Sequence, residues 1–490
     1  MAKAVQKKKM RVERAGLVNP QIRPRAFPPY VIAELRHDSQ VAYEPTRFAG
    51  PTAVARTCER LNHILGQFKV KRIESHFAMG PRQIRRRCTA APATLDQPVS
   101  AEFAHSGFVH IMPRSYKDAD VLAKRLNRSK AIWKAVVAPD PVPAAAPTGS
   151  SGTSRNFEPC QGYLHSAPNG IGAMEGWEKF NARGKGVTIC DIEGNWNFDH
   201  EDLPTLRHIG GTLINDMGWK NHGTAVMGEM VSKAGQSGTV GISHGARAYV
   251  HSAMIGGIFN AAAAITNAAR KLKAGDVILI ELQAQSPLTG KYIAMQYWDD
   301  VFSAIRAAVE KGITVVEAAG NGNENFDQAI YNGSGLQKDS GAIVVGAGIP
   351  PTNHLDYFGS DLSGWGFDRY SKLGVPRSRI FFSNYGKIVD VQAWGWHVTS
   401  TGYGDAQGGA DQNLWYTHRF SGTSSASPIV TGAAACIQGL AIDKKGAPLA
   451  PDKVRKILVK TGTPQEAGPE VPLKQHIGPQ PNLPRALSKV

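Results

Sequence analysis

GKGVTICDIEG, residues 184–194, decides how this chain is read: VTIC at 187–190 is a buried strand that runs through Asp191 into a loop. Working outward, HGTAVMGEMVSKAG at 222–235 begins a helix and ARAYVHSAM at 246–254 is another strand. NAAAAITNAARKLKAG at 260–275 is helical, and DVILIELQ at 276–283 follows as a strand. WDDVFSAIRAAVEKG at 298–312 is helical, then ITVVEAAGN at 313–321 and GAIVVGAG at 341–348 are strands. Continuous Val/Ile runs separated by helices of this length imply an α/β fold: a parallel sheet with helices on both faces. Functional residues in such sheets gather at the carboxyl ends of the strands.

A chain of 490 residues calls for two or three folding units. Its net charge of +16 is unevenly spread: residues 1–150 hold 26 Lys and Arg against 11 Asp and Glu, whereas residues 151–490 hold 30 against 29. The basicity therefore belongs to the N-terminal third, which implies two parts with different partners. No run of 18 apolar residues appears, and the basic start MAKAVQKKKMRVERAG has no apolar stretch behind it. The expectation is no membrane partner and, by default, a cytoplasmic location. Five scattered cysteines without a C-x-x-C pair read as reduced thiols rather than a disulfide framework or zinc ribbon.

Residues 1–50, with NPQIRPRAFPPY at 19–30, read as a basic extended arm. Between 51 and 140 the order is helix (53–68), strand (70–79), strand (107–113), helix (119–130) and strand (131–138). That is most of a small α+β, split β-α-β module. PDPVPAAAPTGSSGTS at 139–154 marks a linker over about 141–155, leaving 156–490 as the main domain.

Acyl transfer by serine needs a nucleophile, a base, a carboxylate to orient the base, and donors for the oxyanion. Asp191 follows VTIC at a strand end. His222 opens a helix, with Gly223 leaving space beside the imidazole. Ser424 lies in FSGTSSASPIVTGAAA (420–435), just before a small-residue helix with Pro428 in its first turn. Taken singly each has a blander reading: a turn aspartate, a capping histidine, a loop serine.

HGTAV at 222–226 and SGTSSASP at 421–428 resemble the histidine and serine signatures of the subtilases, and AAGN at 318–321 is similar to that family's oxyanion segment. The order Asp, His, Ser, at separations of 31 and 202 residues, matches subtilisin's. The resemblance covers roughly 160–487, including PNLPRALSKV at the end. It implies a subtilisin-like three-layer fold preceded by a prodomain-like module, and a serine endopeptidase acting on proteins or peptides. It also implies Ser424 as nucleophile, His222 as general base, Asp191 as orienting carboxylate, and Asn321 with the Ser424 amide as oxyanion hole. No cofactor is required, and structural calcium is left open.

Three departures from the family pattern stand out. Asp191-Ile192-Glu193-Gly194 replaces aspartate followed by a small hydroxyl residue and glycine. Ile280-Glu281-Leu282-Gln283 stands at the substrate wall, and Glu317 stands where a small residue is usual. The resemblance makes the last two strands neighbours, so Glu281 and Glu317 are expected close enough to share a proton or a cation. They then read as internally neutralised groups, as ligands of a structural cation, or, with Leu282, as a substrate-binding pocket for a basic residue. The basic N-terminal module is expected to cover the cleft as an intramolecular inhibitor. Nucleic-acid binding is disfavoured, since Lys7-Lys8-Lys9 and Arg85-Arg86-Arg87 lack aromatic interleaving.

Two other functions compete: a catalytically silent subtilase-like binding protein, and an esterase of the α/β-hydrolase type. For the second, Gly422-Thr423-Ser424-Ser425-Ala426 approximates G-x-S-x-G, but only Asp443, Asp452 and His476 follow the serine.

Overall fold

The structure is a computed structural model that describes residues 29–36, 39, 41–70, 72–75, 108–138, 155–351 and 375–490. The linker at 139–154 and the basic runs at 7–9 and 85–87 lie outside the described residues.

The first unit is a four-stranded antiparallel sheet, β1 (Val31–Leu35), β2 (Ile73–Ser75), β3 (Phe108–Ile111) and β4 (Ile132–Val137), in the order β2-β3-β1-β4. Helices α1 (Ala55–Gln67) and α2 (Tyr116–Leu126) cover one face. Strand alternation divides β1 between two cores. Val31, Ala33 and Leu35 turn toward α1 and α2, while Ile32 joins Tyr30, Phe108 and Ala138 in a cluster with the second unit. Assigning residues 1–50 to an extended arm is therefore corrected for 30–49, which hold the central strand β1 and a small hairpin, Ala42–Glu44 with Arg47–Ala49. The Pro/Arg-rich text before Tyr30 hid a five-residue strand that needs both faces covered.

The second unit carries a seven-stranded sheet whose pairs are all parallel. Its strands are β5 (Thr188–Glu193), β6 (Arg207–Gly210), β7 (Arg247–Ser252), β8 (Val277–Ile280), β9 (Thr314–Ala318), β10 (Ile343–Gly348) and β11 (Val391–Trp394), in the order β11-β10-β9-β8-β5-β7-β6. Helices α3 (Ala173–Phe180), α4 (Met217–Val231) and α7 (Thr423–Lys445) pack on one face, and α5 (Ala261–Lys271) and α6 (Asp299–Glu310) on the other. The side chains alternate accordingly: Ile189, Val250, Leu279 and Val316 face α4 and α7, whereas Cys190, Ile192, Ile278 and Val315 face α5 and α6. This is the three-layer α/β arrangement expected from the sequence.

Helix α7 is long and apolar enough to cross a membrane by composition, but it is the buried central helix of this core. The first unit lays its open sheet face on the α5–α6 side. There Tyr30 Oη donates to the Phe259 carbonyl, and Lys134 Nζ lies 2.7 Å from Asp299 Oδ2 in the first turn of α6. Cys160, Cys190 and Cys436 are free thiols, Cys58 is buried, and Cys88 lies outside the described residues.

Candidate active site

Period-two alternation puts Asp191 and Glu193 on the same face of β5, under α4 and α7. Two residues of strand separate them by about 6.6 Å, and Glu193 is the last residue of the strand. Helix α4 starts earlier than the sequence suggested. Asp216 caps it, its carboxylate accepting from the Trp219 amide at 3.1 Å, so His222 lies in the second turn rather than at the opening. From there the imidazole reaches Glu193: Nδ1 is 2.6 Å from Oε1, with His222 2% exposed. The Phe420 ring meets the imidazole edge to face, with centroids 5.3 Å apart.

Asp191 does not reach His222's Nδ1 hydrogen bond. It is buried further back along the strand, where Oδ2 accepts from the Trp196 indole N–H at 2.8 Å. The carboxylate beside the histidine is thus Glu193, which corrects the expectation for Asp191. Helix α4 comes close to the loop after β5 because residue 223 is glycine. A Cβ there would stand 2.3 Å from the Asn195 carbonyl and 2.7 Å from the Trp196 ring.

Ser424 is the second residue of α7 and is 7% exposed. Gly422, immediately before the helix, has φ +109°, a conformation that disfavours any side chain. Asn321 follows β9 at its carboxyl end. Its Oδ1 accepts from the Thr423 amide at 2.8 Å and hydroxyl at 3.2 Å, which fixes the plane of the side-chain amide. The point where a Cβ of residue 422 would sit is 3.1 Å from Asn321 Nδ2 and 3.4 Å from the Ser424 nitrogen. Both nitrogens thus lie close to Gly422, the residue before Thr423 and Ser424. Pro428 is the sixth residue of α7, not part of its first turn, so the Ser424 carbonyl lacks its usual i+4 N–H donor.

Glu281 and Glu317 are not partners. Ile280 pairs with Glu317 in the parallel register, which turns Glu317 toward α5 and α6 and Glu281, one residue later, toward α4 and α7. Glu317 accepts from the Gln296 amide at 2.7 Å, and Glu281 contacts the Ser427 hydroxyl. Both are buried, as is Leu282, so the shared acidic pocket for a basic substrate residue is corrected to two separate internal carboxyls. Among the described residues no group of three or more His, Cys, Asp or Glu side chains is placed to hold a metal ion.

Burial dominates the electrostatics. It raises the carboxyls of Asp191, Glu193 and Glu229 well above their ordinary values and pushes Glu281 and Glu317 up to about 8. Burial also lowers His222 to about 4, opposed by the charge of Glu281. The imidazole is therefore neutral at pH 7, as a general base must be. Sequence reasoning missed Glu193 and Ser427. The signal for Glu193 was present: a glycine follows the glutamate directly, whereas Asp191 has no small residue after it.

The Subtilase family profile matches residues 184–478. The subtilisin-like proteinase Spm1 of Pyricularia oryzae is 28% identical over 337 residues, covering 65% of this chain and 52% of that protein. Cerevisin of Saccharomyces cerevisiae is 30% identical over 290 residues, covering 55% and 38%. Among solved structures, fervidolysin from Fervidobacterium pennivorans, a keratinolytic enzyme related to subtilisin, superposes with a TM-score of 0.50 at 16% identity. That alignment covers 94% of this chain and 61% of fervidolysin, a likeness of fold. The chain spans about half the length of the curated relatives it matches. With the family profile covering well over half of its length, and the histidine, serine and asparagine segments gathered at one end of a parallel sheet, the chain belongs to the subtilase family.

Proposed function

We propose that the chain is a serine endopeptidase in which Ser424 is the nucleophile, His222 the general base and Glu193, in place of Asp191, the orienting carboxylate. The observation that carries this reading is the 2.6 Å approach of His222 Nδ1 to Glu193 Oε1. With Nδ1–H donating to Glu193, the Nε2 lone pair is available to take the Ser424 proton as the hydroxyl attacks a peptide carbonyl. Glu193 then stabilises the imidazolium, and the same histidine returns the proton to the leaving amine. Asn321 Nδ2 and the Ser424 N–H receive the developing oxyanion.

An esterase of the α/β-hydrolase type is disfavoured because the histidine and its carboxylate precede the serine in the chain. A silent binding protein has no need of convergent donors beside a buried serine–histidine site. Incubation with a fluorophosphonate, followed by peptide mapping, should find the adduct on Ser424, and the protein should digest casein. An unlabelled, inactive but folded protein would favour the binding-protein reading.

Asn321→Ala should lower kcat by about 10²–10³-fold, the loss measured for this donor in subtilisin, with little change in KM. A change confined to KM would contradict the oxyanion role.

The N-terminal module is proposed as an intramolecular inhibitor of the same chain. Its sheet already sits on α5 and α6 through Ile32, Phe108 and the Lys134–Asp299 pair. That pair is partly exposed, so it contributes no more than about 1 kcal/mol. Lys134→Glu in the full-length chain should raise casein hydrolysis by up to about fivefold. An unchanged rate would remove the ion pair from any inhibitory docking.

A further inference from the structure

Residue 281 is directly opposite residue 193. Ile280 pairs with Ile192, and the Glu281 amide continues the ladder with a 3.3 Å bond to the Ile192 carbonyl. Glu193 and Glu281 therefore project from neighbouring strands toward α4 and α7, separated by roughly one strand spacing of about 4.8 Å. His222, bonded to Glu193, lies within electrostatic reach of Glu281.

Ser427 has two oxygen neighbours for a single hydroxyl hydrogen, which can go to either. Its hydroxyl has one hydrogen. Ser427 Oγ is 2.7 Å from the Thr423 carbonyl, which can only accept, and it is also in contact with Glu281 Oε2. Spending the serine hydrogen on Thr423 leaves Ser427 an acceptor toward Glu281, and the second hydrogen must come from the carboxyl.

We propose that Glu281 is a positioning residue held as a neutral carboxylic acid, donating to Ser427 one helical turn beyond Ser424, so that it adds no negative charge beside the His222–Glu193 pair. The inference rests on Ser424 and His222 being nucleophile and base. Two carboxylates directly opposite each other resist ionising together. The proton on Glu281 thus allows charge on Glu193, and the donated bond ties the first turns of α7 to the sheet. The other titratable groups facing this point are Asp191 on β5 and Glu229 on α4. Neither Glu229 oxygen has a partner among the described residues, and burial raises the Asp191 and Glu229 carboxyls as it raises that of Glu193. Neither relieves Glu281 with a positive charge.

The sign of the pH dependence follows. Burial holds Glu281 protonated up to about pH 8. Above that it ionises, loses its donated bond and places a second negative charge beside Glu193. The kcat/KM of the full-length protein on a peptide substrate should then fall about tenfold below its plateau by pH 9, the slope of a single ionisation.

Glu281→Gln keeps an N–H donor for Ser427 and cannot ionise, so its normalised profile should stay flat within about twofold from pH 7.5 to 9. Ser427→Ala distinguishes the proton's direction. If Glu281 donates, losing the acceptor destabilises the neutral acid and moves the alkaline fall to lower pH; if Ser427 donates, the fall moves to higher pH. An unchanged fall in Glu281→Gln, or an upward move in Ser427→Ala, overturns the proposal, and the second variant decides if the first does not fold. Ser424→Ala, measured in parallel, keeps the two levels apart. Turnover surviving in that variant refutes the nucleophile assignment itself, whereas a dead Ser424→Ala beside an unaltered Glu281→Gln profile refutes only the role of Glu281.

Discussion

Ser424→Ala should lower kcat on casein by about 10⁶-fold, the scale reported for nucleophile removal in subtilisin, while the folded state persists. The hydroxyl sits at the start of α7, and removing it deletes the attacking atom without disturbing the Asn321–Thr423 bonds that hold the turn. What remains is the stabilisation that the Asn321 amide and the residue 424 N–H give to attack by water. Far-ultraviolet circular dichroism and a thermal melt matching the native protein would show that the loss is chemical. Casein digestion at even one hundredth of the native rate would show that another residue is the nucleophile.

The second large effect separates two carboxylates that lie two residues apart. Glu193→Gln should lower kcat by about 10⁴-fold, the loss found when the orienting carboxylate of other serine protease triads becomes an amide. The glutamine side chain can present N–H to His222 Nδ1 and so favour the wrong tautomer, leaving Nε2 protonated and unable to accept from Ser424. Asp191→Asn keeps an acceptor for the Trp196 indole and takes no part in the His222–Glu193 bond, so its kcat should stay within about tenfold of native. Equal losses in the two variants, or a larger loss in Asp191→Asn, would return the role to Asp191.

Much of this site was legible in the sequence because His222 and Ser424 lie in segments whose small residues are dictated by close approach. Residue 223 abuts the Asn195 carbonyl, and residue 422 adopts positive φ beside Asn321. The carboxylate was misread for a reason specific to strands. Asp191 and Glu193 share a face, and periodicity cannot say which one lies level with the histidine once the helix bearing it is displaced by a turn. Glu281 and Glu317 failed in the opposite way. Their strands are adjacent, but a one-residue offset in register sends them to opposite layers, and no pattern of neighbouring residues revealed that offset. In the N-terminal unit the helices were visible from their apolar spacing. Strand β1 was not, because the five residues Val31–Leu35 are too short to show clear alternation and stand directly after a Pro/Arg-rich stretch.

Whether Glu193 orients His222 can be read from proton NMR of the His222 ring. In the Ser424→Ala background, which prevents self-digestion, an Nδ1–H held 2.6 Å from a buried carboxylate should give a far-downfield, slowly exchanging resonance. This resonance should persist in Asp191→Asn and disappear in Glu193→Gln. Its loss in Asp191→Asn and survival in Glu193→Gln would show that Asp191, not Glu193, orients the histidine.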